Sequence, residues 1–331
     1  MNLEQLFKCP LCSSRFSQQK DVLRCEFNHE FSIRGNVIDF SSCNSSDVRQ
    51  QQTHDSFEVE WNKYYPRLGW TAAELPTEVH MFLTYTRSMP NFFSDKVVID
   101  AGCGNGRYIN VVNKISSPRP RLVIGIELSD NVYLASKNCA EHDNVVFLKI
   151  DLNLVPRVLR DPVDYVYSIG VLHHTPDAKR GFLNLSSCVK EGGFLSMFLY
   201  GKGNSILYAV NSYLRNRFFR RWPHRWVYYF CVAVAIPCQI FRIRFFGPWL
   251  SDFVNRFVYV GQDVHNMFDA YTAGFTSFHT KSEVEKWYRE VEFDCVIDEW
   301  SSRTSLFCIG RKPNVFVTAA KRADVLQESF S

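Results

Sequence analysis

The sequence predicts an α/β protein built on a doubly wound parallel sheet, and three observations predict it. Short apolar runs alternate with helical stretches from residue 96 onward. The first run ends in a glycine-rich bend that opens a helix. The second ends in an acid about twenty residues beyond that bend, the spacing of nucleotide-binding βαβ units.

The first unit is KVVIDAGCGNGR, Lys96 to Arg107. Val97, Val98 and Ile99 read as a strand buried on both faces. Asp100, Gly102, Gly104 and Gly106 form the bend, and a helix succeeds it from Arg107 to about Lys114. Backbone N–H groups and a helix N-terminus here face a ligand. The pattern is GxGxG preceded by an acid, not GxGxxG. A carboxylate at Asp100 repels a pyrophosphate but suits the ammonium and sulfonium end of S-adenosylmethionine (SAM). A glycine turn with no ligand is the alternative, and the residues beyond the bend decide between the two.

Arg121 to Glu127, RLVIGIE, is the second strand, and Glu127 stands where an acid accepts from both ribose hydroxyls. Ser129 reads as the cap of a helix to about Glu141. Asn144 to Ile150 is a third strand ending at Asp151, which with Leu152 is placed to meet an adenine ring. Asp164 to Gly170 is the fourth strand and runs into VLHHTPD, residues 171–177. Ala178 to Lys190 reads as a helix, Gly192-Gly193 as a turn, and Phe194 to Tyr200 as a fifth strand.

DAGCGNGR, GIELS, the strand ending at Asp151, SIGVLHHTPD and EGGFLSMFLY resemble, in order and spacing, the successive motifs of class I SAM-dependent methyltransferases. The likeness is strongest to the group whose fourth motif reads GVLHHTPD. It implies a seven-stranded Rossmann-like sheet whose seventh strand is antiparallel. It implies SAM contacts at Asp100, Gly102, Gly104, Gly106, Glu127, Leu128, Asp151, Leu152 and Ile169, and an acceptor over the 173–177 loop. For a hydroxyl acceptor, His173 or His174 is the candidate base. The competing reading packs one histidine on the strand end and leaves the other in water. Asp177 either orients one of them or caps the helix after it.

Ahead of this core, Cys9-Pro-Leu-Cys12, Cys25 and His29 have the spacing of a tetrahedral zinc site, structural because four protein ligands leave no open position. About forty residues bury little core, so a metal would supply folding energy. Cys43 is a spare that could replace His29, and free thiols beside a surface histidine are the alternative. Residues 7–40 resemble the zinc-ribbon modules that precede some SAM-dependent methyltransferases, including bacterial 23S rRNA guanine methyltransferases.

These signals divide the chain into a zinc-ribbon-like module (1–42), a linker with leading helices (43–95), the methyltransferase domain (96–312) and a tail (313–331). The leading segment carries Trp61, Tyr64, Tyr65 and Trp70, which suit a lid or core packing equally. Within the domain lies an insertion, 201–262. From Gly192 through Ser251 there is no Asp or Glu, while Arg215, Arg217, Arg220, Arg221 and Arg225 precede the apolar run Trp226 to Phe241, followed by Arg242 and Arg244. The run holds Pro237 and is too short to span a bilayer. It reads as a helical cap, as an interfacial membrane segment across 215–249, or as an RNA surface. Next come His265, Asp269, Tyr271 and His279 near the acceptor side, a helix from Lys281 to Glu290 capped by Thr280 or Ser282, and a closing strand hairpin.

A net charge of +4 over 331 residues is too mild to imply nucleic acid by itself. Eleven cysteines scattered along the chain fit a reducing compartment, and the first residues show no secretory pattern, so the expectation is cytoplasmic. The function expected is methyl transfer from SAM to an O or N acceptor on a small-molecule, carbohydrate or lipid-linked substrate. An RNA methyltransferase gripping its substrate with the zinc module, and a non-enzymatic scaffold, are the rivals.

Overall fold

The computed structural model describes residues 2–44, 55–59, 61, 69–202, 213, 215, 217–219, 222–241, 264, 268, 271–297 and 305–314. For 234–241 only the backbone is described. Tyr64, Tyr65, Arg220, Arg221, Arg242, Arg244, His265 and Asp269 lie outside these residues.

Among the described residues eleven strands form one sheet. They are β1 (Phe16–Gln19), β2 (Val22–Cys25), β3 (Glu30–Arg34), β4 (Val37–Asp39), β5 (Val97–Ala101), β6 (Leu122–Glu127), β7 (Val145–Lys149), β8 (Val163–Ile169), β9 (Val189–Tyr200), β10 (Asp294–Ile297) and β11 (Ser305–Arg311). Their spatial order is β1-β2-β3-β4-β7-β6-β5-β8-β9-β11-β10. The helices are α1 (Leu3–Leu6), α2 (Leu75–Thr86), α3 (Arg107–Ile115), α4 (Asn131–Asn138), α5 (Val155–Val158), α6 (Ala178–Ser187), α7 (His224–Phe241) and α8 (Lys281–Glu290).

Strands β7, β6, β5, β8 and β9 pair in parallel. Alternation along each of β5, β6 and β7 feeds two cores. Ile99, Ala101, Ile124, Ile126, Val146 and Leu148 enter one, and Val98, Val123, Val145 and Phe147 the other. That double burial explains why these strands read as unbroken apolar runs. The last two strands pair antiparallel, β9 with β11 and β11 with β10, so the expected antiparallel seventh strand is present.

The sheet has eleven strands where seven were expected. The difference is the N-terminal stretch, whose four antiparallel strands join the edge through a parallel pairing of β4 with β7. Phe16, Leu23, Phe31, Ile33, Ile38 and Phe40 enter the same core as β5–β7. Hydrophobic burial therefore supports this stretch alongside any metal. Two local readings also change. Gly192 and Gly193 sit inside β9 at a register irregularity between Val163 and Tyr165 of β8, not in a turn. Helix α4 begins at Asn131 and ends at Asn138, and the Ser129 hydroxyl donates to the Glu127 carboxylate.

Candidate functional site at the strand ends

Asp100 is the fourth residue of β5 and is 2% exposed. The β5–β8 register sets Tyr167 opposite it. Burial pushes the Asp100 carboxyl up to about 8, with the Glu127 charge adding to the rise, while the Tyr167 hydroxyl and Arg107 pull it down. Its Oδ2 has no hydrogen-bond partner among the described residues. A buried oxygen left so calls for a partner from outside those residues, such as a bound ligand.

The chain then bends through Gly102, Gly104 and Gly106, all at positive φ. Only glycine takes these conformations without strain. A Cβ on Gly102 would overlap the Val171 methyls just past β8, and one on Gly104 would lie 3.3 Å from the Trp61 ring. A Cβ on Gly106 would meet Cys139 Sγ at 2.9 Å, so this glycine serves helix packing against the end of α4. The buried Asn105 ties the bend down. Its Oδ1 accepts from the Arg107 N–H, and its carbonyl accepts from Asn138 Nδ2.

Glu127 closes β6 beside this bend. Its Oε2 accepts from the Gly104 N–H at 3.1 Å, and its Oε1 accepts from the Ser129 N–H at 3.0 Å and hydroxyl at 2.7 Å. Ser129 therefore holds Glu127 first, although its Oγ also accepts from the Asn131 N–H at the start of α4. Leu128 beside it is half-buried. At the end of β7, Asp151 Oδ1 accepts from Asn153, and the Asp151 N–H donates to Asn44 Oδ1 at 2.9 Å. Leu152 is 9% exposed, and Ile169 closes β8 half-buried. The nine residues expected to face SAM thus lie at the C-terminal ends of β5, β6, β7 and β8 or in the turns just beyond them. In an open α/β sheet that is where ligands bind.

The 173–177 loop does not open to solvent at its histidines. His173 is fully buried, stacked on Tyr200 with ring centroids 3.8 Å apart, and burial with the neighbouring His174 and His279 holds its pKa well below the usual range. His174 is 4% exposed and its Nδ1 hydrogen-bonds the Phe275 carbonyl at 3.0 Å. Neither histidine is solvated, which corrects that alternative. Asp177 does not orient them: it is exposed, and its Oδ1 accepts from the Arg180 N–H as the cap of α6. The segment after the insertion packs here, with the Ser277 N–H on the His173 carbonyl and His279 bonded to Ser277 and Glu283. Thr280 makes a reciprocal capping box with Glu283 at the start of α8.

Part of the aromatic leading segment crosses over this end of the sheet. The Phe57 ring meets His174 edge-on at 5.2 Å, the Phe57 carbonyl accepts from Asn131, and Trp61 lies over Gly104 and against Arg107. Trp70 packs into the core instead. Sequence reasoning missed Tyr167, Ser129, Asn44 and Phe57. Only Tyr167 had a local signal, a hydroxyl on a strand otherwise read as buried.

In the N-terminal stretch the ligand atoms of Cys9, Cys12, Cys25 and His29 all lie within 4.8 Å of one another. Three sulfurs and one imidazole nitrogen at that spacing are a donor set zinc accepts. Cys43 is not part of the group. Among the described residues no helix is long and apolar enough to cross a membrane.

Residues 99–195 match the model of a family described as a methyltransferase domain. A ubiquinone biosynthesis O-methyltransferase of Nitrosomonas europaea is 29% identical over 131 residues, 39% of this chain and 54% of that protein. A tRNA U34 carboxymethyltransferase of Desulfotalea psychrophila is 28% identical over 117 residues, 35% of this chain and 36% of that protein. The chain thus spans about half, or less, of these curated relatives. Among solved structures, magnesium protoporphyrin IX methyltransferase of Synechocystis with bound SAM superimposes with a TM-score of 0.44 at 15% identity, covering 81% of this chain and 99% of that one. Over residues 99–195 the chain thus carries a match to a methyltransferase domain.

Proposed function

We propose that the whole chain transfers a methyl group from SAM to an O or N atom of a small-molecule, carbohydrate or lipid-linked acceptor. One observation carries this reading: about the glycine bend stand a buried Asp100 carboxyl oxygen with no hydrogen-bond partner among the described residues and a Glu127 carboxylate bonded to the Gly104 amide. A cation would relieve the first, and a pair of hydroxyls would suit the second. When bound, SAM supplies an electrophilic methyl carbon on a sulfonium.

The chain's own residues position and shield. Asp100 faces the ammonium and sulfonium end, with Gly102 and Gly104 leaving the backbone open to close approach. Glu127, fixed by Ser129, accepts from the ribose. Leu128, Asp151, Leu152 and Ile169 line the adenine side. Gly106 supports the bend by packing alone. Burial keeps His173 neutral and the Phe275 carbonyl fixes the His174 ring; for a hydroxyl acceptor His173 or His174 is the candidate base. Phe57 and Trp61 exclude water from above.

We infer in addition that Cys9, Cys12, Cys25 and His29 hold a structural zinc, supported by the convergence of four donors of the right chemistry. An RNA base acceptor is the second reading. It draws on the tRNA-modifying relative and on the acid-free stretch from Gly192 to Ser251. A non-enzymatic scaffold has no need of an intact glycine bend with Asp100 and Glu127 beside it.

Isothermal titration of the full chain with SAM tests the reading. One saturable site is expected, and the absence of heat and of any protection against thermal unfolding would end it. Incubation with methyl-labelled SAM and cell extract, split into lipid, RNA, protein and small-molecule fractions, then identifies the acceptor class.

A further inference from the structure

Over its described side chains, residues 224–233, helix α7 carries apolar groups on opposite sides, and only one side is covered. Val227 and Cys231, one turn apart, are buried against Phe219, Phe268 and Tyr271. Trp226 and Tyr229 look the other way at 56% and 62% exposure, and Trp222, just before the helix, is 44% exposed. A helix that is apolar all round belongs in a covered setting, and large aromatics clustered in water mark a contact surface.

The chemistry around this face is one-sided. The exposed Arg225 lies over the Trp226 ring at 5.8 Å, and the exposed Arg217 over the Phe218 ring at 5.6 Å. Neither pairs with a carboxylate among the described residues, and the sequence offers no Asp or Glu between Gly192 and Ser251. The second half of the helix, CVAVAIPCQIF, has no charged residue.

We propose that this face of α7 docks on an anionic lipid bilayer and lies in its headgroup layer. Trp and Tyr rings settle at the headgroup level, where one end is wet and the other apolar. The arginines meet lipid phosphates, and the acid-free stretch removes the repulsion that would oppose them. The uncharged, apolar composition of residues 231–241 suits a bilayer surface. Single-stranded RNA would stack on the aromatics but gains nothing from that run, and this decides between the two anionic partners.

The covered side of α7, opposite the exposed aromatics, reaches toward the candidate site. His224, the first residue of α7, has its Nε2 3.2 Å from Ser56 Oγ, and the next residue after Ser56, Phe57, touches His174. The docking does not depend on the proposed methyl transfer.

Flotation of the full chain with vesicles tests it. The chain floats with vesicles of phosphatidylglycerol and phosphatidylcholine but not of phosphatidylcholine alone, and raised salt weakens the binding. The pair Trp226→Ser with Tyr229→Ser, and separately Arg217→Glu with Arg225→Glu, lower the bound fraction by about fivefold or more. Both pairs alter exposed positions and keep the wild-type melting curve. No flotation, flotation undiminished in the folded variants, or tighter binding to oligouridylate than to anionic vesicles each overturns the proposal. Titration of the same preparation with SAM separates this outcome from the fate of the methyltransferase reading.

Discussion

The Glu127 carboxylate accepts a hydrogen bond from the Gly104 amide at 3.1 Å, joining the end of β6 to the bend after β5. The acid is therefore in place at the bend before any ligand arrives, held by Ser129 on its other oxygen. Hydrogen bonds to a charged group contribute about 1.5–3 kcal/mol each. Replacing Glu127 with Ala is expected to weaken SAM binding by about 10- to 100-fold, the equivalent of one such bond. Ser129→Ala should weaken it less, because the Ser129 N–H remains. Titration calorimetry measures both, and unchanged affinity in Glu127→Ala would remove the ribose role.

Asp100 gives a pH dependence with a definite sign. Its carboxyl is raised from the ordinary aspartate range to about 8. Between pH 4 and 8 the folded chain therefore holds a proton that the unfolded chain has lost, so this group makes stability fall as pH rises through that window. A cation bound beside Asp100 favours the ionised form. SAM binding should then release a proton below pH 8 and tighten as pH approaches 8 from below. Asp100→Asn should flatten both profiles. Calorimetry in buffers of different ionisation enthalpy reads the proton count.

Gly102 and Val171 form a close-packed pair across β5 and β8. Gly102→Ala places a Cβ into the Val171 methyls at a φ of 91°, so both overlap and backbone strain act. Left-handed strain costs about 1–2 kcal/mol and overpacking about 1–3 kcal/mol. A loss of about 2–5 kcal/mol is expected. Adding Val171→Ala should recover the overlap part and not the strain. Denaturant unfolding of the two single variants and the double variant measures the coupling; strict additivity would show that the two side chains do not meet.

How much of the fold and the site was legible in the sequence depends on how local each signal is. Val97–Ile99 and Leu122–Ile126 announced buried parallel strands because both faces are covered. The glycine bend needed positive φ at three positions, and the residue type alone revealed it. Thr280 was readable only as one of two candidate caps, with Ser282, and its reciprocal partner Glu283 was not seen. The parallel pairing of β4 with β7 was not readable, since it joins residues about a hundred positions apart and leaves no periodicity in either. Tyr167 stands beside Asp100 only through the β5–β8 register. Gly192 and Gly193 looked like a turn, because a bulge and a turn use glycine alike. Ser129 looked like a plain cap, because the sequence does not show that Glu127 reaches back to its N–H and hydroxyl.

The N-terminal stretch offers a last prediction, in which metal and cofactor sites are linked. Its four candidate ligands sit at the head of strands whose last member, β4, is bonded to β7, and Asn44 beyond β4 accepts from the Asp151 amide. The purified chain should carry about one zinc ion per molecule, as four protein donors imply. Cys25→Ser should lose the metal, while Cys43→Ser should keep it because Cys43 lies outside the cluster. Removing the metal withdraws stabilisation that only the folded state receives, so the melting temperature should fall, though the shared core of Phe16, Phe31 and Phe40 should keep the stretch from unfolding outright. If the order of β4 reaches Asp151, metal loss should also weaken SAM binding by about tenfold through local loosening. Asn44→Ala should reproduce that loss with zinc content and melting temperature unchanged. Equal SAM affinity in the metal-depleted chain would show that the edge strands and the adenine side act independently.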